Sequence, residues 1–109
     1  KALGVNIWAV TVQNEPLATT SLWPAMFYTA EMQADFVANH LGPRLRRDHG
    51  EVKIMIHDDH ATSLLDFAGR ILDDPAASKY VDGVAYHWYA SMGGVFEDGE
   101  AVGLVESIA

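Results

Sequence analysis

Three short apolar runs, each followed by polar residues, predict three β-strands in this chain. The runs lie at residues 5–12, 52–56 and 83–86. They are nearly continuous in apolar residues, which is typical of strands buried on both faces of a parallel sheet. Pro16 follows the first run and ends it, because proline cannot continue a central strand.

The segment after the first strand has the spacing of an amphipathic helix. Thr29 is its predicted N-cap, and the helix closes near residues 49–50. Gly42 and Pro43 interrupt the pattern close to its end. Because proline lacks an N–H and clashes with the preceding turn, we expect a kink or a break there.

Further helical signals follow the second strand. Ser63 and Asp66 resemble a capping pair that opens a helix reaching about Leu72. Pro75 can start another helical turn, and residues 100–108 are a weaker helical prediction. The order of elements is β-α-β-α-β, which predicts an α/β fold with parallel strands and right-handed crossovers.

Polar residues cluster directly after each predicted strand. They are Asn14 and Glu15 after the first strand, residues 57–60 (HDDH) after the second, and residues 87–89 (HWY) after the third. Because the carboxyl ends of parallel strands meet at one edge of a sheet, we expect the three clusters to lie close together. This edge is the predicted functional site.

Length and composition limit the function classes. The chain has 109 residues, whereas a closed (β/α)8 barrel needs about 250. It starts almost directly in the first strand without an initiator Met, so a longer parent chain is expected. A net charge of −8 disfavours binding to nucleic acid or to anionic membranes. The absence of cysteine excludes disulfides, zinc–thiolate sites and thiol catalysis within this stretch.

Glu15 is the first candidate for chemistry. It stands at the end of a buried strand and beside Pro16, where desolvation should disfavour the charged carboxylate. A carboxylic acid kept protonated in this way can donate a proton to a leaving group. The alternative is an ordinary loop glutamate before a turn proline.

Residues 8–16 (WAVTVQNEP) resemble the fourth barrel strand of glycoside hydrolases of the clan that includes the glucosylceramidases. That strand ends in Asn-Glu-Pro. The resemblance is to glycoside hydrolase family 30, closest to its glucosylceramidase branch, and it covers about residues 4–90. It continues through residues 27–36, 41–43, 54–59, 73–75, 79–83 and 84–89.

This resemblance implies a retaining β-glycosidase that works by double displacement. Residues 1–109 would be a fragment of one catalytic domain, a partial (β/α)8 TIM barrel covering about strands four to six. Glu15 would be the acid/base. The nucleophile, a glutamate at the end of strand seven, would lie outside this chain, so the isolated fragment is expected to be inactive.

The resemblance also implies a polar neighbour of the acid/base, and Asp58 is a further supporting residue. Asn14 would hydrogen-bond the sugar 2-hydroxyl and orient Glu15, which suits an amide that both donates and accepts. The alternative for Asn14 is a hydrogen bond to local turn backbone. Asp58 would support the site as a hydrogen-bonded residue at the top of the barrel.

Aromatic residues complete the predicted substrate site. His87 would belong to the polar network, Trp88 to the wall near the sugar, and Tyr89 would donate to the nucleophile. Trp23 falls in the loop where the family places an aromatic near the sugar, although its neighbours depart from the family pattern. The alternatives are core packing for Trp88 and a purely structural role for His87.

Residues 57–60 also resemble a metal cluster, since two histidines and two aspartates are common ligands. However, adjacent residues on an extended chain point apart and converge poorly on one ion. We therefore predict no metal and no cofactor, with a solvated loop around Asp58.

The predicted substrate is a glycoside or glycolipid. The resemblance favours glucosylceramide, with β-xylosides and β-1,6-glucans as alternatives, and implies a secreted or lysosomal full-length protein. A non-catalytic sugar-binding or structural barrel is the alternative class of protein. The intact pair of Asn14 and Glu15 argues against it, because a binding module gains little from a desolvated acid.

Overall fold

The computed structural model describes residues 4–18 and 23–88. Three strands form a parallel sheet in the order β1-β2-β3, with β1 at Ala9–Thr11, β2 at Lys53–His60 and β3 at Gly83–His87. The predicted α/β order and the parallel, sequential arrangement of the strands are confirmed. The predicted helix at residues 100–108 lies outside the described residues.

The first strand is shorter than the apolar run that predicts it. It pairs with β2 from Ala9 to Thr11, whereas residues 5–8 before it are exposed and Trp8 is 72% exposed. Among the described residues, β1 has a neighbour on one side only. With a neighbouring strand on one side only, the apolar run at residues 5–12 contributes three residues to the sheet.

One long helical segment follows β1. It consists of α1 (Ala30–Phe36), a π-helical stretch (Val37–Leu41) and α2 (Gly42–Asp48). The side chain of Thr29 caps α1, as predicted, by accepting a hydrogen bond from the Met32 N–H at 3.1 Å. The irregularity predicted at the glycine–proline pair takes the form of the π-helical stretch, which accommodates a residue that cannot donate.

The second helical region differs from the prediction at its start. A 3₁₀ turn (Ala61–Ser63) leads into α3 (Leu64–Leu72), and the predicted capping by Ser63 is wrong. The Ser63 hydroxyl instead contacts the His60 carbonyl oxygen and the His57 ring. The predicted turn at Pro75 is confirmed as α4 (Pro75–Ser78), capped by the side chain of Asp74.

The core forms where α1 and α3 pack together against one face of the sheet. Ile54 and Ile56 lie two residues apart on β2, so both side chains point to this face of the sheet. Both are fully buried. Their cluster also includes Val37, Leu64, Phe67 and Ile71. No helix in the described part of the chain is long and apolar enough to cross a bilayer.

Gly42 marks the closest packing of α2. A Cβ atom at this position would overlap the Tyr80 ring and would lie 2.6 Å from the Val37 carbonyl oxygen. We therefore expect Gly42→Ala to lower the free energy of unfolding by about 1–3 kcal/mol, the usual cost of overpacking. Urea denaturation of the folded protein measures this change.

Gly69 supplies the matched control. It lies in α3, and a Cβ atom there meets no neighbouring atom within 4 Å. Gly69→Ala should be neutral or should stabilise the protein by about 0.5–1 kcal/mol, because alanine favours the helix. Equal destabilisation by the two substitutions would contradict the close packing of Gly42.

Candidate active site

A β-bulge in β2 shapes the carboxyl edge of the sheet. His57 and Asp58 have positive φ angles of 74° and 60°, and the pairing with β3 shifts register between His57 and Asp59. The predicted solvated loop at residues 57–60 is therefore wrong. The bulge lets the strand continue to pair through these residues, and His57 and Asp59 are buried.

Glu15 lies beside this bulge, just beyond β1. Its backbone N–H donates to the Asp58 carbonyl oxygen at 2.9 Å, and its own φ angle is positive, at 49°. The side chain is 11% exposed, and Oε1 lies 3.2 Å from Nδ1 of His87. A largely buried carboxyl group thus faces an imidazole nitrogen at hydrogen-bond distance.

The His87 ring also faces a second carboxylate. Its Nε2 lies 3.4 Å from Oδ1 of Asp58, while the Thr11 hydroxyl donates to Oδ2 of Asp58 at 2.7 Å. Contacts therefore run from Glu15 through His87 and Asp58 to Thr11, and they join all three strands. Such a chain can fix the orientation of the ring and can pass a proton toward or away from Glu15.

A buried cluster around His57 supports the bulge from the helix side. The His57 N–H donates to Oε1 of Gln33 at 2.9 Å. Its Nδ1 lies 3.0 Å from the Ala85 carbonyl oxygen, and its Nε2 lies 2.8 Å from Oγ of Ser63. Since a carbonyl can only accept, Nδ1 carries a proton. The Ser63 hydroxyl has one proton, which it can give to the His60 carbonyl oxygen or to Nε2 of His57, so a neutral ring accepts at Nε2 only when the hydroxyl turns away from His60.

The neutral ring is also the form that burial favours. Desolvation lowers the pKa of His57 below its ordinary value of 6.5, while the hydrogen bond to the Ala85 carbonyl opposes that change. The Phe67 ring packs edge-on against the imidazole, with the ring centres 5.5 Å apart.

The remaining predicted residues are distributed around the site. Asn14 is exposed in the turn next to Glu15. Trp88 is 65% exposed at the end of β3, and Trp23 is 38% exposed in the loop before α1. Tyr89 lies outside the described residues. Within residues 4–18 and 23–88, no group of three or more His, Cys, Asp or Glu side chains is arranged to hold a metal ion.

Sequence reasoning missed several residues of this site. Gln33 had a visible signal, because it interrupts the apolar stripe formed by Ala30 and Ala34 on α1 and by Val37 directly after it. A buried polar residue in such a stripe needs a partner. The buried Asp59 had no separate signal, since the bulge that directs its side chain cannot be read from the sequence.

The parallel sheet and its polar carboxyl edge define this chain as part of an α/β protein, in which sites form at that edge. Residues 1–100 match the sequence model of the glycosyl hydrolase family 30 TIM-barrel domain. The chain therefore belongs to glycosyl hydrolase family 30. Both the resemblance and the predicted fold class, a partial TIM barrel, are confirmed.

Curated relatives include glucosidases of two kinds. The chain is 42% identical over 89 residues to the lysosomal acid glucosylceramidase of Mus musculus, a match that covers 79% of this chain and 17% of that protein. It is 37% identical over 91 residues to an endo-1,6-beta-D-glucanase of Neurospora crassa, covering 84% of this chain and 18% of that protein. The chain thus spans less than a fifth of the length of either relative.

Solved structures agree with the fold. The endo-beta1,6-glucanase BT3312 superposes with a TM-score of 0.72 at 37% identity, over 79% of this chain and 20% of that chain.

The neutral state of His57 makes stability depend on pH. Because its folded-state pKa lies below the unfolded value of 6.5, the unfolded state binds the proton first as the pH falls. The free energy of unfolding should therefore decrease from about pH 6.5 downwards until the folded-state pKa is reached. Urea denaturation of the folded protein across this range measures the slope.

A substitution at His57 should remove its part of this slope. His57→Gln should cost about 1–3 kcal/mol at neutral pH, because it leaves buried hydrogen-bonding groups without their partners. Its free energy of unfolding should then change less between neutral and acidic pH than that of the original protein. His40→Gln, at an exposed position, is the control. An unchanged slope in the His57 variant would contradict the neutral assignment.

Proposed function

We propose that this chain is the acid/base segment of a retaining β-glycosidase. It would contribute about strands four to six of an eight-stranded barrel, within a single catalytic domain. The observation that carries the proposal is the nearly buried Glu15 carboxyl group at the end of β1, 3.2 Å from His87. Membership of glycosyl hydrolase family 30 supports it.

Glu15 has the properties that an acid/base needs. In a retaining mechanism the acid first protonates the leaving oxygen, and the resulting carboxylate then removes a proton from water. His87 can respond to both charge states, because imidazole can accept a proton or donate one. Asp58 holds the other ring nitrogen and so keeps the ring turned toward Glu15.

The remaining residues are proposed to bind the sugar. Asn14, next to Glu15 in the exposed turn, would contact the 2-hydroxyl group. Trp88 and Trp23 offer exposed aromatic faces on which a sugar ring can pack. Tyr89 would donate to the nucleophile, a glutamate beyond these 109 residues, whose carboxyl group would lie about 5 Å from that of Glu15.

Exposed apolar residues support the proposed barrel. Trp8 beside β1 and Tyr86 on β3 are 72% and 40% exposed, and Val5, Ile7 and Met26 are also exposed. A soluble domain normally covers such a surface. Further strands and helices on both sides of the sheet would do so.

The proposed substrate carries a β-linked glucosyl unit. Relatives named for glucosylceramide and for 1,6-β-glucan match at 42% and 37% identity, and glucose is common to both names. Glucosylceramide is our first choice, with a secreted or lysosomal location for the full-length protein; the mouse relative is named as lysosomal. Hydrolysis rates of the full-length enzyme on glucosylceramide and on β-1,6-linked glucose oligomers distinguish the two substrates.

Replacement of Glu15 tests the acid/base role. In the full-length enzyme, Glu15→Ala should lower kcat/KM for alkyl β-glucosides by about 10²–10⁴-fold, the usual contribution of a general acid. Dinitrophenyl β-glucoside needs no protonation of its leaving group and should lose much less. Added azide should restore kcat and yield a β-glucosyl azide. Equal losses on both substrates without rescue would indicate a structural role.

The isolated chain should not turn over β-glucosides. Double displacement needs a nucleophile as well as an acid/base, and the oxygens of Asp58, the nearby carboxylate, contact His87 and Thr11. We therefore expect no release of fluorophore from an aryl β-glucoside by the purified 109-residue chain. Turnover that disappears on Glu15→Gln would contradict this expectation.

A further inference from the structure

Asp59 is a buried carboxylate to which the proposed function gives no role. It is 1% exposed and lies directly after the bulge. Its Oδ2 accepts a hydrogen bond from the Leu17 N–H at 2.8 Å. Its Oδ1 accepts from the His60 N–H at 2.7 Å and also contacts Nδ1 of the His60 ring.

A buried carboxylate is costly unless donors surround it. Burial raises the pKa of Asp59, but the N–H groups of Leu17 and His60 outweigh that effect and hold the pKa below its usual range. The side chain is therefore a stable anion, and its hydrogen bond to Leu17 is charge-assisted. Such bonds are shorter and stronger than those between neutral groups.

The partner of this bond lies two residues after the acid/base. Pro16, between Glu15 and Leu17, is buried and has no N–H to donate. Strand β2 therefore holds the turn on both sides of the proline. The Asp58 carbonyl oxygen accepts from the Glu15 N–H at 2.9 Å, and Asp59 accepts from Leu17.

Glu15 needs such support because its backbone is strained. A left-handed conformation is unfavourable in a residue other than glycine and persists only where surrounding contacts enforce it. Two further bonds, from Ala18 to the Glu15 carbonyl and from Tyr28 to the Pro16 carbonyl, shape the turn. The bond from the Leu17 N–H ends on an anionic side chain, whereas these two end on backbone carbonyl oxygens.

We propose that Asp59 is the positioning residue of the acid/base. By holding the Leu17 N–H, its carboxylate fixes the turn that aims the Glu15 carboxyl group at the glycosidic oxygen. This inference rests on the proposed role of Glu15. It adds a residue that touches neither the substrate nor the reacting atoms.

Asp59→Asn in the full-length enzyme is the sharpest test. Asparagine keeps the shape of the side chain, but either orientation of its amide turns an NH₂ group toward an N–H donor. We expect kcat/KM for alkyl β-glucosides to fall about 10- to 100-fold, since a misplacement of about 1 Å can cost that much. Dinitrophenyl β-glucoside, which needs no acid, should lose less than about threefold by the same reasoning.

The ratio of the two kcat/KM values is the deciding measurement. It does not depend on how much of each preparation is folded, so partial unfolding of the variant cannot imitate the effect. Asp35→Asn is the matched control, because Asp35 is exposed on α1 and accepts a hydrogen bond from the side chain of its helix neighbour Asn39, far from the turn after Glu15 in sequence. It should leave the ratio unchanged.

A double mutant separates this inference from the proposed function. If Asp59 acts through Glu15, adding Asp59→Asn to Glu15→Gln should not change the ratio further, because contributions through one group do not add. An independent, multiplied effect would overturn the positioning role, as would equal losses on both substrates in Asp59→Asn alone. If Glu15→Gln itself leaves the ratio unchanged, the proposed function fails and this inference fails with it.

Discussion

The bulge in the middle strand is the constraint on which the candidate site depends. In a regular strand, successive side chains alternate between two faces. The positive φ angles of His57 and Asp58 break this alternation. The side chains of residues 57, 58 and 59 therefore lie in three different environments. The His57 ring lies in the buried cluster beside Ser63, Asp58 faces His87, and Asp59 holds the turn after Glu15. A regular strand of the same sequence could not make these contacts together.

The contacts around the bulge also explain how the strain is maintained. Glu15, His57 and Asp58 all have left-handed backbone conformations, each unfavourable for residues with a side chain. The bonds that oppose relaxation are buried at the His57 N–H and partly buried at the His57 ring and at the turn after Glu15. On the helix side, the side-chain oxygen of Gln33 accepts a hydrogen bond from the His57 N–H. Buried bonds of this kind are costly to break, because each separated group then lacks a partner. The strain therefore stays at the edge where the chemistry is proposed.

Much of the fold could be predicted from the sequence, and the site could be predicted in part. The apolar runs predicted three parallel strands in order, and the polar clusters after them predicted which edge brings Glu15 and Asp58 together. The bulge could not be predicted, because no glycine or asparagine marks His57 or Asp58 as left-handed. Without the bulge, residues 57–60 read as a solvated loop. The sequence therefore predicted a helix cap at Ser63, and the other residues that hold the bulge were not predicted.

The two edges of the sheet use different charged groups, and the difference bears on mechanism. Near the amino end of β3, Arg46 and Lys53 pair with Asp82, and these permanent cations tie α2 and β2 to β3. At the carboxyl edge, the group between Glu15 and Asp58 is the imidazole of His87. A guanidinium beside an acid/base would favour its ionised form throughout the reaction. Either nitrogen of an imidazole can donate or accept a hydrogen bond, so a ring at this edge can bond to Glu15 in both forms that the proposed acid/base role needs.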